Sequence, residues 1–445
     1  MGNKEKYELL AEGNIGLPSI MGIFAADKNF KFETVQIEES LTNVKDFKLV
    51  SFNKTEETEG FNAEIEYKET IFNVKLYINS AENVDLNNFG FANAIDEQSL
   101  RLATEQKYFL ETLMYFELDP LTSFHLQLKV MNAIVPNASL VIDYSSYRLL
   151  SAKWADMTAK SPTPPSPDYL YTLHSVYDDE GENRRYWFHT HGLHRCKSVE
   201  LEMVNIGQGA EQMHTLINMT VKNFLTRPVE EREPFMIGYD GLGINLCWVR
   251  WEEALKDFPE NILGGFSDRN EEDVVHTEPS GILFAVEDGN ITSPEIYVST
   301  LAENPIFYIT TEETERMSAL AKERFPAFEK VFRKEYKQPA ATKKSLFKKV
   351  FGSKNEDVPG WQFLVKLGLP VDDPDKSGSV AEHLWFEVLA INGTNITAKL
   401  LNQPYWIAAA NEGDINTYPM EFLTDWLIYS PDDTYTSDSI YMLEH

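Results

Sequence analysis

The chain has 445 residues, of which 43 % are hydrophobic and 25 % are charged. This is the composition of an ordinary globular protein, and it excludes a collagen-like chain and a wholly disordered one. A chain of this length predicts about three domains. Seventy acidic residues outnumber 40 basic ones, which gives a formal net charge of −30. Because such a surface repels phosphate backbones, we expect no nucleic-acid partner.

Nothing in the sequence indicates export or insertion into a membrane. Residues 1–30 mix charged side chains with short apolar runs and contain no apolar core of a secretory signal. No stretch approaches the ~20 consecutive apolar residues that a membrane-spanning helix needs. Cys196 and Cys247 are the only cysteines, so the chain has no disulfide framework. We therefore expect a cytoplasmic protein.

Hydrophobic periodicity predicts a mixed α+β architecture in the first part of the chain. Alternating apolar and polar residues predict an antiparallel hairpin at 61–68 and 72–79. A helix is expected over 96–116, because Leu102, Phe109 and Leu113 share one helical face. Pro120 is placed beyond the end of that helix.

Further elements of both kinds follow. Residues 139–160 predict a strand that leads into a helix near Trp154. More strands are expected at 185–192, 199–204, 244–250, 282–286 and 306–310, and helices at 210–225 and from Thr310 onward, where Thr310 and Glu313 form a capping box. Together these elements predict an antiparallel-sheet body with packed helices over 46–336, preceded by an N-terminal segment, 1–45.

Four prolines within 161–167 predict an extended connector inside this body. The connector either separates two lobes or crosses the surface of one domain, and we favour the second interpretation. Charge then reverses in 316–354, which holds 12 Lys/Arg residues and 3 Glu residues. Residues 337–358 are predicted to be a basic linker. The apolar residues interspersed among the lysines of 343–354 leave weak contact with an anionic membrane surface as an alternative.

A small all-β, barrel-like module is predicted over 359–442. Asn392-Gly393 lies between two alternating strands, and this dipeptide is the strongest short-range signal of a hairpin. The module contains four tryptophans, most of which we expect in its core. The alternative is that some of them line a peptide-binding groove at the rim, where the candidate binding residues are Trp385, Trp406, Asp425 and Trp426.

The densest cluster of reactive side chains lies at 187–202. Trp187, His189 and His191 alternate along a predicted strand, so their side chains share one face. Two imidazoles on one strand are a common beginning of a zinc or iron site. Gly192 follows the pair and indicates a tight turn with an unusual backbone angle.

Three interpretations of this cluster remain open: structural histidines, a metal site, and acid–base catalysis by an imidazole. None of them assigns a particular catalytic residue. No carboxylate stands at the H-E-x-x-H spacing, so we interpret the histidines first as structural side chains that need no metal or cofactor. The alternative is a metal-dependent enzyme in which His189 and His191 bind zinc or iron. Its further ligands would come from the residues that follow: His194, Cys196, Glu200 and Glu202.

Motifs in both parts of the chain resemble those of a family of uncharacterised bacterial proteins. This family pairs an α+β domain carrying a His-Thr-His-Gly-Leu motif, found here at 189–193, with a small all-β domain. The Leu-Asn-Gln-Pro and Asp-Trp motifs of the second domain are found at 401–404 and 425–426. Related modules occur among immunity proteins of bacterial toxin systems, so the resemblance implies a protein-binding role.

These observations favour a cytoplasmic protein-binding function, which the resemblance extends to an immunity-like one. An acidic surface raises the rate of encounter with cationic proteins, so we expect a basic protein partner. The alternative function is a metal-dependent enzyme centred on His189 and His191.

Overall fold

The computed structural model describes residues 9–10, 16–55, 60–178, 184–227, 229–238, 243–269, 276, 279–303, 311–336 and 360–443. Contacts within the chain divide it into two compact units, Met1–Tyr308 and Ile309–His445. The described part of the first unit contains two sheets, and that of the second contains one. The α+β fold class is therefore confirmed.

The first sheet lies at the start of the first unit. Its strands are β1 (Ser19–Ala25), β2 (Lys48–Lys54), β3 (Gly60–Tyr67), β4 (Thr70–Ser80), β5 (Gly90–Phe91), β6 (Tyr108–Met114), β7 (Ala138–Asp143) and β8 (Arg148–Ser151). Their order is β2-β3-β4-β6-β1-β7-β8-β5, and all pairs are antiparallel except β5 with β8. The helices of this region are α1 (Thr34–Thr42), α2 (Glu97–Thr104), α3 (Pro120–Ile134) and α4 (Ala152–Lys160).

The predicted hairpin at 61–79 is confirmed, whereas the predicted helix over 96–116 is wrong in its second half. Phe109 and Leu110 are both buried although they are adjacent, because β6 lies in the middle of the sheet and is covered on both faces. Such a strand shows no alternation of apolar and polar residues, so periodicity did not distinguish it from a helix. Pro120 does not follow a helix but begins α3, where Asp119 accepts a hydrogen bond from Thr122 N.

The second sheet follows in the same unit. Its strands are β9 (Thr172–Tyr177), β10 (Tyr186–His191), β11 (Glu200–Ile206), β12 (Phe235–Ile237), β13 (Ile244–Arg250), β14 (Ser280–Glu287) and β15 (Asn290–Thr292). The order is β12-β13-β14-β11-β10-β9, with β15 paired to β14. Only β11 and β14 pair in parallel among these described strands. The helices are α5 (Ala210–Thr226), α6 (Trp251–Ala254) and α7 (Val298–Glu303).

A buried ion pair joins the two sheets of the first unit. Arg195, in the turn after β10, donates to both carboxylate oxygens of Asp143, at the end of β7, over 2.9 and 2.7 Å. Both side chains are 1 % exposed. The same guanidinium donates to Ser19 Oγ in β1 and to Leu170 O, just before β9. The Arg195 side chain therefore connects the ends of four strands: β1, β7, β9 and β10.

The second unit combines a long helix with the third sheet. Its helices are α8 (Thr311–Glu335) and α9 (Pro374–Ser377), and its strands are β16 (Gln362–Pro370), β17 (Ala381–Asn392), β18 (Asn395–Leu400), β19 (Ile415–Pro419), β20 (Leu423–Tyr429) and β21 (Thr434–Thr436). The order β19-β18-β17-β16-β20-β21 has two free ends, so the described strands form an open sheet and no closed barrel. The Asn-Gly hairpin joins β17 to β18 with Gly393 at φ 60°, as predicted.

The two units meet between residues 308 and 309. The strand β1, which falls within the predicted segment 1–45, pairs with β6 and β7 of the first sheet. The helix α8 packs on β20 through Phe328 and Trp426, and Trp426 Nε1 donates to Ala321 O. This helix therefore belongs to the second unit, together with the C-terminal all-sheet region that was predicted over 359–442. The predicted strand at 306–310, the cap residue Thr310 and the basic linker 337–358 lie outside the described residues.

Among the described residues, no helix has both the length and the apolar character needed to cross a membrane.

Replacing Arg195 with Met should lower the free energy of unfolding by about 3–5 kcal/mol, because Asp143 would remain charged and buried without its partner. The double variant Asp143→Leu/Arg195→Met should lower the free energy of unfolding by less than the two single variants do together, since it leaves no unpaired charge. Urea unfolding followed by circular dichroism measures both. Lys153→Met, which breaks an exposed ion pair to Asp96, is the control and should cost under about 1 kcal/mol. Additive losses at 143 and 195 would contradict the idea that the pair acts as one unit.

The stability of the first unit should fall in acid through His125. This residue of α3 is 1 % exposed, and its Nε2–H donates to Thr158 O. Burial, with help from Lys129, lowers the pKa of His125 to about 4. The unfolded chain binds this proton near pH 6.5, so the stabilisation is complete above that pH and is lost as the pH falls towards 4. Between pH 6.5 and 4.5 the wild type should lose about 2 kcal/mol more than His125→Gln in urea unfolding. Equal pH dependence of the two proteins would contradict this assignment.

Candidate metal centre

The alternation of side chains along β10 produces two different faces. Phe188 is buried on one face, where α5 packs against β10 and β11. Trp187, His189 and His191 lie on the other face and are 4 %, 3 % and 8 % exposed. These three side chains therefore share one face of the strand, as predicted.

Pairing with the edge strand β9 adds a third histidine. His174 lies directly opposite His189 in the antiparallel register, and directly opposite residues project from the same face. The ring centroid of His174 lies 5.2 Å from that of His189 and 4.9 Å from that of His191. The ligand nitrogens of these three residues all lie within 4.8 Å of one another. This is a spacing from which three imidazoles can bind one ion.

A fourth histidine reaches the cluster from a segment outside the sheet. The ring centroid of His276 lies 4.9 Å from that of His189 and 5.7 Å from that of His191. Nε2 of His276 is 3.4 Å from Nε2 of His189. Two nitrogens bound tetrahedrally to one zinc ion at about 2.0–2.1 Å are separated by about 3.4 Å. The observed separation matches the one that a shared ion requires, and it is also that of a hydrogen bond between the two rings.

The protonation state of the cluster suits metal binding. Burial lowers the pKa of His189 and of His191 to about 2, and it also lowers the pKa of His174. These imidazoles are thus neutral at pH 7, and each offers a lone pair. Nε2 of His189 is the nitrogen that faces His276, whereas its Nδ1 is buried and has no hydrogen-bond partner among the described residues. Converging lone pairs in a buried site are satisfied by a shared cation.

A buried polar network supports the cluster from behind. Trp187 packs its ring on His189 and His276, with centroids 4.3 and 4.8 Å apart, and its Nε1 donates to Glu202 over 2.6 Å. Arg269 forms a two-pronged ion pair with Glu202 and donates to the backbone carbonyl of His276. Glu202 therefore positions both the tryptophan and the segment that carries His276. Although burial alone raises it, the pKa of Glu202 is held below its usual value, because Arg269, Ser280 and Trp187 all donate to the carboxylate.

A second carboxylate, Glu200, holds the turn that follows β10. It accepts hydrogen bonds from Thr190 Oγ1, from Gly192 N and from His194 N. The predicted special conformation of Gly192 is confirmed, since its φ is 113° and a Cβ there would lie 2.5 Å from Leu170 O. Both glutamates are thus engaged as acceptors, and neither is free to act as a ligand or a general base.

The further ligands proposed from sequence do not join the cluster. Nε2–H of His194 donates to Pro279 O over 2.8 Å, and its Nδ1 faces Glu200. The Cys196 thiol is buried and donates to Gly192 O. Burial raises the pKa of Cys196 to about 12, so the thiol is neither a thiolate ligand nor a nucleophile. His194 and Cys196 of the alternative ligand set therefore lie outside the cluster that His189 and His191 form, and a metal at these residues stays a prediction.

His174 and His276 lie in the cluster instead, and sequence reasoning missed both. His174 lies in a segment with no chemical motif, and its position is defined only by the register of β9 on β10. His276 lies 85 residues beyond His191 in the sequence. A pairing prediction for β9 could have found the first, whereas no local signal marks the second.

The candidates in the second unit lie in different environments. Trp426 is 0 % exposed and is a core residue. Trp385 is partly buried on β17, with the Lys366 ammonium 5.7 Å from its ring centroid. Burial raises the pKa of Asp425 to about 6, and one of its oxygens accepts a hydrogen bond from Trp426 N. Only Trp406 is exposed among these four, at 39 %.

Gly264→Ala should disturb the histidine cluster by displacing Trp187. A Cβ at this position would lie 2.6 Å from the indole ring, and the residue has a φ of 76°. Gly289→Ala is the matched control, since its φ is 80° and a Cβ there meets nothing within 4 Å. Both variants pay about 1 kcal/mol for the left-handed backbone, but Gly264→Ala should lose at least about 1 kcal/mol more. Urea unfolding and tryptophan emission measure the difference, and equal effects of the two variants would contradict the packing.

Comparison with protein families identifies three regions of the chain. Residues 19–165 and 173–284 match the N-terminal and C-terminal models of DUF4026, a protein of unknown function. Residues 318–445 match DUF2314, an uncharacterized protein conserved in bacteria. Neither a curated protein nor a solved structure matches the chain. The resemblance to uncharacterised bacterial families is thus confirmed: the chain belongs to the DUF4026 family and carries a DUF2314 domain.

Proposed function

We propose that the first unit binds one transition-metal ion through His174, His189, His191 and His276. The observation that carries this proposal is the convergence of His174, His189 and His191, whose ligand nitrogens lie within 4.8 Å of one another. Nε2 of His276 lies 3.4 Å from Nε2 of His189, which adds a fourth imidazole at the edge of this group. Imidazole ligands suit zinc, copper, nickel and iron. Iron sites of the facial type also need a carboxylate, and the nearby Glu202 is engaged by Arg269, so zinc fits better than iron.

The coordination number favours metal binding over hydrolysis. Four protein ligands complete the tetrahedral shell of zinc, whereas catalytic zinc sites keep one position open for water. A hydrolytic site would also need a general base, and the described carboxylates beside the cluster are engaged in hydrogen bonds. The ion would tie the edge strand β9 and the segment of His276 to the central strand β10. We therefore propose a structural or metal-sensing role for it, in preference to a metal-dependent enzyme.

Metal analysis of the purified, untagged chain tests this proposal. We expect one zinc ion per chain after dialysis, and His189→Gln and His191→Gln should each lower the zinc affinity at least tenfold in calorimetric titrations. His276→Ala should also weaken binding and change the visible spectrum of the cobalt-substituted protein, because the coordination number falls. His214→Gln, on an exposed part of α5, is the control and should bind like the wild type.

Unfolding measurements separate ligands from structural histidines. Zinc at 100 times its Kd should stabilise the wild type by about 2.7 kcal/mol and leave the double variant His189→Gln/His191→Gln unchanged. A wild type that holds no ion and gains no stability from zinc would refute the metal centre. A third outcome is that the double variant shows no cooperative unfolding transition and that zinc does not stabilise the wild type. The histidines would then have a structural role only.

Protein binding is a second candidate function, and an exposed aromatic side chain supports it. Tyr405 of the second unit is 89 % exposed, although most tyrosine side chains are at least partly buried. Together with the net charge of −30, this favours a basic protein partner. The immunity-like role and the cytoplasmic location remain predictions that the resemblance and the sequence support. Recovery of a partner at low salt and its loss at high salt is the expected result in a pull-down with the full chain.

A further inference from the structure

Two exposed aromatic residues and an exposed valine lie together in the second unit. The aromatic loop (residues 402–414) presents Tyr405 and Trp406, which are 89 % and 39 % exposed. Val380 is 78 % exposed and lies across the segment 371–372 from them, because Val371 N donates to Val380 O and Asp372 N donates to Trp406 O. Large apolar side chains grouped in this way mark interaction sites.

The backbone of this loop is held in place by carboxylates of a neighbouring segment. Glu382 accepts hydrogen bonds from Tyr405 N and Trp406 N over 2.8 and 2.9 Å. Asp372 accepts one from Ala408 N over 2.6 Å, and its own N–H donates to Trp406 O. An exposed aromatic residue on a fixed loop loses little conformational entropy on binding. Such residues contribute a large share of the energy of protein interfaces.

The charge around these side chains is almost entirely negative. Segments 371–382 and 402–415 contain six acidic residues and one basic residue, Lys376; the acidic ones are Asp372, Asp373, Asp375, Glu382, Glu412 and Asp414. Ammonium and guanidinium groups stack on tyrosine and tryptophan rings and pair with carboxylates. Aromatic rings within a ring of carboxylates therefore complement a lysine- or arginine-rich segment.

We propose that the aromatic loop and its acidic rim form the docking surface for a separate protein that presents a lysine- or arginine-rich segment. This inference rests on the protein-binding function proposed above and names its site. Basic side chains of the partner stack on Tyr405 and Trp406, while Asp375 and Glu412 on the rim pair with neighbouring cations. The valine at 380 contacts the apolar part of the partner's side chains.

Fluorescence polarisation with defined peptides tests this surface in the full chain. The probe is a fluorescein-labelled dodecapeptide of alternating lysine and alanine, and the control peptide alternates glutamate and alanine. We expect the wild type to bind only the lysine peptide, with an affinity that falls as salt is raised. Tyr405→Ser/Trp406→Ser should weaken binding about tenfold, as expected for the loss of two cation–π contacts. Phe91→Ser, at a position 60 % exposed in the first unit, should bind as the wild type does.

The outcomes separate this inference from the function on which it rests. If the wild type binds neither peptide at low salt, both the basic-partner function and the surface are wrong. If the lysine peptide binds the wild type and Tyr405→Ser/Trp406→Ser equally, binding follows net charge alone and only the surface is wrong. Self-association of the wild type that the same variant abolishes would assign the surface to a second copy of the chain, which would also overturn the proposal.

Discussion

The buried ion pair between Asp143 and Arg195 is the constraint on which the first unit depends. Arg195 follows the histidines of β10 directly, and it also donates to the carbonyl of Leu170, which precedes the strand carrying His174. Asp143 accepts a further hydrogen bond from Ser146, next to Tyr147, whose ring packs on His191 at 4.9 Å. Two charges that are 1 % exposed are tolerated only when each satisfies the other, so the geometry of this junction admits little variation. The histidine cluster is built directly beside it.

The cluster itself is a consequence of sheet register together with one additional segment. A shift of one residue between β9 and β10 would turn His174 to the opposite face and leave only the pair on β10. Glu202 lies opposite His189 on the other side, where it fixes Trp187 and Arg269 and, through Arg269, the backbone of His276. Ligands held by such outer contacts are pre-organised, which is what a metal ion needs in order to bind tightly. The same contacts keep the carboxylate of Glu202 paired with Arg269 and Trp187.

The second unit uses its acidic side chains differently. In the first unit, the carboxylates of Asp143 and Glu202 are buried and paired with arginines. In the second, Glu382 and Asp372 remain near the surface and hold a loop whose aromatic residues face solvent. The excess of negative charge in the chain thus has at least two structural uses, one in the interior and one at an exposed loop.

The sequence by itself determined the α+β class, the hairpins at 61–79 and 392–395, the special backbone of Gly192 and the shared face of His189 and His191, because each depends on local periodicity or turn chemistry. Only the tertiary structure decided that 108–114 is a central strand, that α8 packs on the third sheet, and that His174 and His276 complete the cluster. A strand buried on both faces has no period to detect. Contacts between residues distant in sequence depend on register and packing, which no local pattern of residues encodes.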